Sequence, residues 1–139
     1  MNICGIEIKG SELMLAVVTL EEGLPRHVLP AIKKLGLEDD EDAGQVKAFA
    51  RQIQALVREH HIDKVAIKKR GKKGEFAGGP VTFKLEGILQ LLEGCEVQLL
   101  SPQTLGAQVR KHAIEPPASL HKYQHEAYKS ACALLFKGR

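Results

Sequence analysis

The residues NICGIEIKGSELMLAVVTL, 2–20, set the architecture. Two apolar runs, 2–8 and 12–20, are separated by Lys9, Gly10 and Ser11, which predicts a β-hairpin closed by a short glycine-containing turn. Strand alternation puts Ile3, Gly5 and Glu7 on one face of the first run, and Cys4, Ile6 and Ile8 on the other. The second run is apolar on both pleat faces, so the sheet it joins must be covered on both sides.

Downstream segments supply the cover. The run 26–34 contains Pro30 and is read as an edge strand. The acidic segment EDDED, 38–42, precedes Val46, Phe49, Ala50, Ile53, Leu56 and Val57, apolar at helical spacing; acids there favour a helix start. A strand over 64–68 follows. Pro80 opens a helix whose buried stripe is Val81, Leu85, Ile88, Leu89 and Leu92. Residues 96–100 form another strand, Ser101-Pro102 caps a short helix to about 111, and Pro116-Pro117 stiffen a linker. A last helix is predicted over about 120–136, with small residues Ala127, Ser130, Ala131, Cys132 and Ala133 permitting close approach to the sheet. The expected fold is α/β: a mixed five-stranded sheet, three antiparallel strands then alternating helices and strands, with helices on both faces, in one domain spanning 1–139. The first strand is central, because the hairpin fills one side and a right-handed crossover brings strand 64–68 to the other.

The 139 residues are 44% hydrophobic without tryptophan, which suits an aliphatic core. No run approaches a membrane span and no signal pattern opens the chain, so a cytoplasmic protein without membrane partners is expected. Cys4, Cys95 and Cys132 are odd in number and far apart, as reduced core thiols would be. Charge is concentrated: five of the six residues 68–73 (KKRGKK) are basic, and removing those five cations from the net charge of +3 leaves −2 for the rest. A cationic loop at a strand's C-terminal end is placed to meet polyanions. A solvated charge run is its plainer reading. The pairs His60-His61 and His121/His125 lack a third ligand in the sequence and read as surface histidines. Gly78-Gly79-Pro80 before a helix could hold an anion, but lacks the Lys-Ser/Thr of a P-loop.

The element order and three local sequences, ICGIEIKGSELMLAVV (3–18), KVAIKKRGKKGEF with FKLEGILQLL (64–92), and VQLLSPQTLGAQVRKH (97–112), resemble the ribonuclease H-like superfamily, in particular the RuvC-type Holliday junction resolvases. The tail QHEAYKSACALL, 124–135, is similar to the closing helix of that family. The resemblance implies a bacterial family and a nuclease site in which acidic residues from the first strand, from the end of strand 64–68 and from the last helix hold two Mg²⁺ ions for phosphodiester cleavage. Matched residue by residue, this chain has Glu7 where Asp is usual, Lys68 where the family has Glu, and Glu126 on the last helix, with Lys129 and Ser130 where a further acid is expected.

Glu7, Lys68 and Glu126 are therefore the candidate catalytic residues of an altered or vestigial site, and Glu7 and Glu126 its candidate metal ligands. Glu7 could instead be a structural partner of Lys68, and Glu126 could sit solvated between Lys122 and Lys129. Lys9, Lys68, Lys69, Arg70, Lys72 and Lys73 are the candidate nucleic-acid contacts. The expected function is a resolvase-like domain with a degenerate metal site that binds nucleic acid (branched or duplex DNA, or RNA) without efficient cleavage. It needs no cofactor, or Mg²⁺ if it is active. The alternatives are a metal-dependent structure-selective nuclease with an altered site, in which Glu75 replaces the missing carboxylate, and a non-enzymatic protein-interaction domain acting as a homodimer. Sugar-kinase and actin-like ATPases share the core topology but need two such domains around the nucleotide.

Overall fold

The computed structural model describes residues 1–30, 32–71 and 79–137. Among them, strand β1 (Asn2–Lys9) pairs antiparallel with β2 (Glu12–Glu21) in the register Lys9↔Glu12 to Asn2↔Thr19, so the hairpin turn is Gly10-Ser11. Gly10 takes φ 57°, the left-handed conformation that a two-residue turn needs and glycine adopts without strain. β2 then turns through Glu22 and Gly23, both at positive φ (53° and 80°), into β3 (Leu24–Val28). After Pro30 the chain rejoins the same edge of β2 as the three-residue β4 (Lys34–Gly36). The single edge strand expected over 26–34 is thus two short strands, because Pro30 has no N–H to continue a ladder.

Helix α1 (Ala43–Glu59) starts where Asp42 accepts a hydrogen bond from the Gly44 N–H, at 3.2 Å. It leads to β5 (Lys64–Lys68), parallel to β1 in the register Ile3↔Lys64 to Ile6↔Ile67. Helix α2 (Pro80–Gln90) returns the chain to β6 (Glu96–Leu100), parallel to β5. Ser101 caps α3 (Pro102–His112) by accepting from the Thr104 N–H. The sheet order is β3-β2-β1-β5-β6 with β4 also on β2, so β1 is central and next to β5, as the hairpin and crossover require.

The last helix begins later than its residue pattern suggests. Residues Lys122–Gln124 form a 3₁₀ turn, and α4 covers His125–Phe136. Gln124 is 1% exposed; its amide donates to the Leu15 carbonyl of β2 at 2.8 Å and its carbonyl accepts from the His121 N–H. A fully buried amide needs its partners, and satisfying them fixes where the helix can start.

Two cores flank the sheet. Cys4, Ile6, Ile8, Leu13, Leu15 and Val17 pack with Phe49 and Ile53 of α1 and Leu85 and Leu89 of α2. On the other face Ile3, Ala16, Val18 and Ala66 pack with Leu105 of α3 and Ala127, Ala131 and Cys132 of α4. The face assignment of β1 follows the alternation in its sequence. Helix α4 lies directly on β1 at Gly5, where a Cβ would stand 1.8 Å from the Ala127 carbonyl oxygen. Glycine on the strand and alanines at 127 and 131 on the helix are what let the two backbones meet. Cys4 and Cys132 are buried and Cys95 is partly buried, all as free thiols.

Candidate functional site

The Gly5–Ala127 contact positions the site. One pleat beyond Gly5 on the same face of β1 is Glu7, and one pleat beyond Ala66 on β5 is Lys68. The residue before Ala127, in the first turn of α4, is Glu126. Close seating of helix on strand therefore draws all three side chains to one place at the C-terminal ends of β1 and β5.

Lys68 Nζ donates to Glu126 Oε1 at 2.8 Å, and Lys129 Nζ stands 3.2 Å from Glu126 Oε2. Both carboxylate oxygens of Glu126 thus face ammonium groups. The alternation of β1 and β5 suggested that Lys68 would reach Glu7, but the helix brings Glu126 into better range. Glu7 makes no ion pair among the described residues. It is 7% exposed and flanked electrostatically by Lys68, Lys9, Glu126 and Arg70. Burial pushes its carboxyl above the usual 4.5, and the charge of Lys68 only partly offsets this. Glu126 is also partly desolvated, but its hydrogen bond and charge pairing with Lys68, then with Lys129, outweigh that and hold it below 4.5.

A cavity of about 190 Å³ opens beside this cluster, lined by Lys68, Glu126 and Lys129 on one side and Pro102, Leu105, Gly106 and Val109 of α3 on the other. Leu105 and Val109 are the contribution that the sequence pattern did not single out. A second groove contains Arg70 with Gly10, Ser11 and the start of α2, where Thr82 Oγ1 donates to the Gly10 carbonyl at 3.2 Å. Lys9 and Lys69 are exposed at the same end of the sheet. Lys72, Lys73 and Glu75 lie outside the described residues. Among the described residues no group of three or more His, Cys, Asp or Glu side chains is arranged to hold a metal ion. No described helix is long and apolar enough to cross a membrane.

Sheet order and helix placement define a ribonuclease H-like fold. Thermus thermophilus RuvC superposes with a TM-score of 0.74 over 96% of this chain and 92% of that one, at 14% identity. The same protein in complex with Holliday junction substrate gives 0.71 over the same shares, at 15% identity. The Fowlpox virus resolvase in complex with Holliday junction DNA gives 0.52 over 94% and 91%, at 14% identity. These likenesses establish the fold. No curated protein matches the sequence significantly. The chain belongs to the family described as protein of unknown function (DUF3010), whose model matches residues 1–134.

Proposed function

We propose that this protein is a resolvase-like nucleic-acid-binding domain, cytoplasmic in location, in which a lysine-centred ion-pair cluster stands where a nuclease of this fold holds its metal ions, so that branched or duplex nucleic acid is bound without efficient cleavage. The carrying observation is the 2.8 Å pair between Lys68 and Glu126. An Mg²⁺ ion takes oxygen ligands in near-octahedral geometry. Among the described residues the donor set is two carboxylates: Glu126 has both oxygens engaged by ammonium groups, and Glu7 is buried with a raised pKa. A cation entering between them would have to displace Lys68, whose own charge already offsets that of Glu126. These residues do not fit the metal pair. The exposed Lys9 and Lys69 and the groove-lining Arg70, at the same end of the sheet, suit contact with phosphates, which give affinity rather than sequence specificity.

The test is a metal titration paired with a cleavage assay. Isothermal titration of the parent with Mg²⁺ or Mn²⁺ should give no saturable heat, and branched DNA or RNA–DNA hybrids should stay intact while still being retarded in EDTA. Lys68→Glu frees Glu126 Oε1 and adds a carboxylate beside Glu7, so metal binding should emerge in that variant. Robust metal-dependent cleavage by the parent, abolished by Glu7→Ala, would establish instead a nuclease with an altered site.

A further inference from the structure

The cavity between α3 and α4 differs in kind from a site whose cation has merely been lost. Its polar wall consists of two ammonium groups and one carboxylate, each oxygen of which faces one ammonium. Each ammonium has three N–H donors, and each makes one contact here, to Glu126. The side chains of Lys68 and Lys129 are 22% and 31% exposed, and both line the cavity. What the cavity offers is donors and surplus positive charge. The opposite wall is formed by the apolar residues Pro102, Leu105 and Val109, which offer no side-chain hydrogen-bonding group of their own. At about 190 Å³ it has room for one tetrahedral anion and a short organic flank.

We propose that this cavity is a receptor for a single phosphate group, held directly by Lys68 and Lys129 without a metal ion, with the apolar α3 wall taking the carbon flank of the ester. The proposal deepens the functional reading above only in naming a nucleic-acid backbone as the source of the phosphate; the phosphate chemistry itself stands on the cavity. Glu126 offsets part of the positive charge of the two ammonium groups. It also competes with the ligand, since it occupies donors that the phosphate would take.

That competition gives a test in which the sign separates this arrangement from a metal site. The probe is inorganic phosphate, titrated in EDTA and followed by ³¹P line broadening and by thermal stabilisation of the full chain. The parent should bind saturably. Lys129→Met, which leaves the Lys68–Glu126 pair intact, should weaken binding by about tenfold, the loss of one charge-assisted hydrogen bond. Glu126→Gln should leave phosphate binding equal or tighter, whereas at a metal-mediated site it would abolish it. Lys68→Met gives a second readout if either variant folds poorly. A requirement for Mg²⁺, a weaker Glu126→Gln variant, or an unaffected Lys129→Met variant overturns the proposal. Competition by a 5′-phosphorylated dinucleotide identifies a nucleic-acid source; displacement only by free phosphate or small phosphomonoesters identifies a small-molecule one. A chain with Lys69, Arg70, Lys72 and Lys73 replaced keeps this cavity, so loss of DNA binding in it leaves the phosphate result standing.

Discussion

Glu7 and Glu126 lie within electrostatic reach of each other, yet their titrations are pushed in opposite directions, and this has a consequence for stability against pH. Glu126 titrates below 4.5 in the folded protein, so it contributes stability that is present above that value and is lost as pH falls through its lower folded pKa. Glu7 titrates above 4.5, so its ionisation opposes folding: stability declines as pH rises from 4.5 through its folded pKa. Glu126→Gln should therefore lower stability at pH 7 by about 1 kcal/mol, as expected for a partly exposed ion pair. Glu7→Gln should raise it, and the two differences should shrink as pH falls, that of Glu7 below 4.5 and that of Glu126 only once pH passes below its lowered folded pKa. Urea unfolding at a series of pH values measures them. A Glu7→Gln variant less stable than the parent at pH 7 would show that Glu7 is satisfied as an anion and that burial is not its dominant influence. At this scale the sequence was informative about which residues meet and silent about who pairs with whom. Strand alternation put Glu7 and Lys68 side by side. Which carboxylate the ammonium reaches depends on how far α4 slides along β1, a packing detail with no local signature.

The seating of α4 on β1 is the element-level feature on which the site depends. A methyl group at Gly5 would collide with helix backbone at Ala127 and Ala131, which cannot swing aside as a flexible side chain can. Gly5→Ala should cost about 3 kcal/mol or more, at the severe end of overpacking. Gly10→Ala, at φ 57° with nothing within 4 Å of the added carbon, should cost only about 1 kcal/mol of backbone strain. Thermal or urea unfolding of the two variants compares them directly; similar losses would mean that α4 can lift without penalty. The stripe of small residues in 127–133 made this close approach legible in advance. Two element boundaries were not. The start of α4 is fixed by Gln124 reaching across to Leu15, a bond spanning 109 positions. The Glu22-Gly23 turn places β3 two residues earlier than the apolar run suggests, since glutamate is not an expected residue at positive φ.

For the whole molecule, nucleic-acid affinity is the property that integrates its charge. If Lys69, Arg70, Lys72 and Lys73 each neutralise one phosphate, the log–log dependence of binding on salt should have a slope near −3.6, from ~0.9 per contact on duplex DNA. Replacing the four by alanine should flatten that slope while leaving the unfolding transition in place, since all four are charged residues that follow β5 in the sequence. Fluorescence anisotropy at two or more salt concentrations reads the slope. A parent that fails to bind at low salt, or a substituted chain that binds like the parent, would leave the basic run a solvated surface and favour a protein-interaction role. The topology was legible from the sequence at this scale because each connection is constrained: a two-residue turn makes neighbours antiparallel, and helical crossovers make β1, β5 and β6 parallel. Function was less so, because the charge carried at a single strand end, here Lys68, does not decide the fold.

The placement of α4 also bears on how the chain acquires its structure. The β1–β2 hairpin is local and can close within microseconds, but β1 meets β5 only after some sixty intervening residues have been organised. The cover for the second face of β1 comes from residues 125–136, made after every strand. Until they dock, Ile3, Ala16, Val18 and Ala66 form an open apolar surface on the central strands, the kind of surface that draws chaperones or a second nascent chain. The helix that gathers the site is thus also the segment that ends the protein's exposure to aggregation during synthesis.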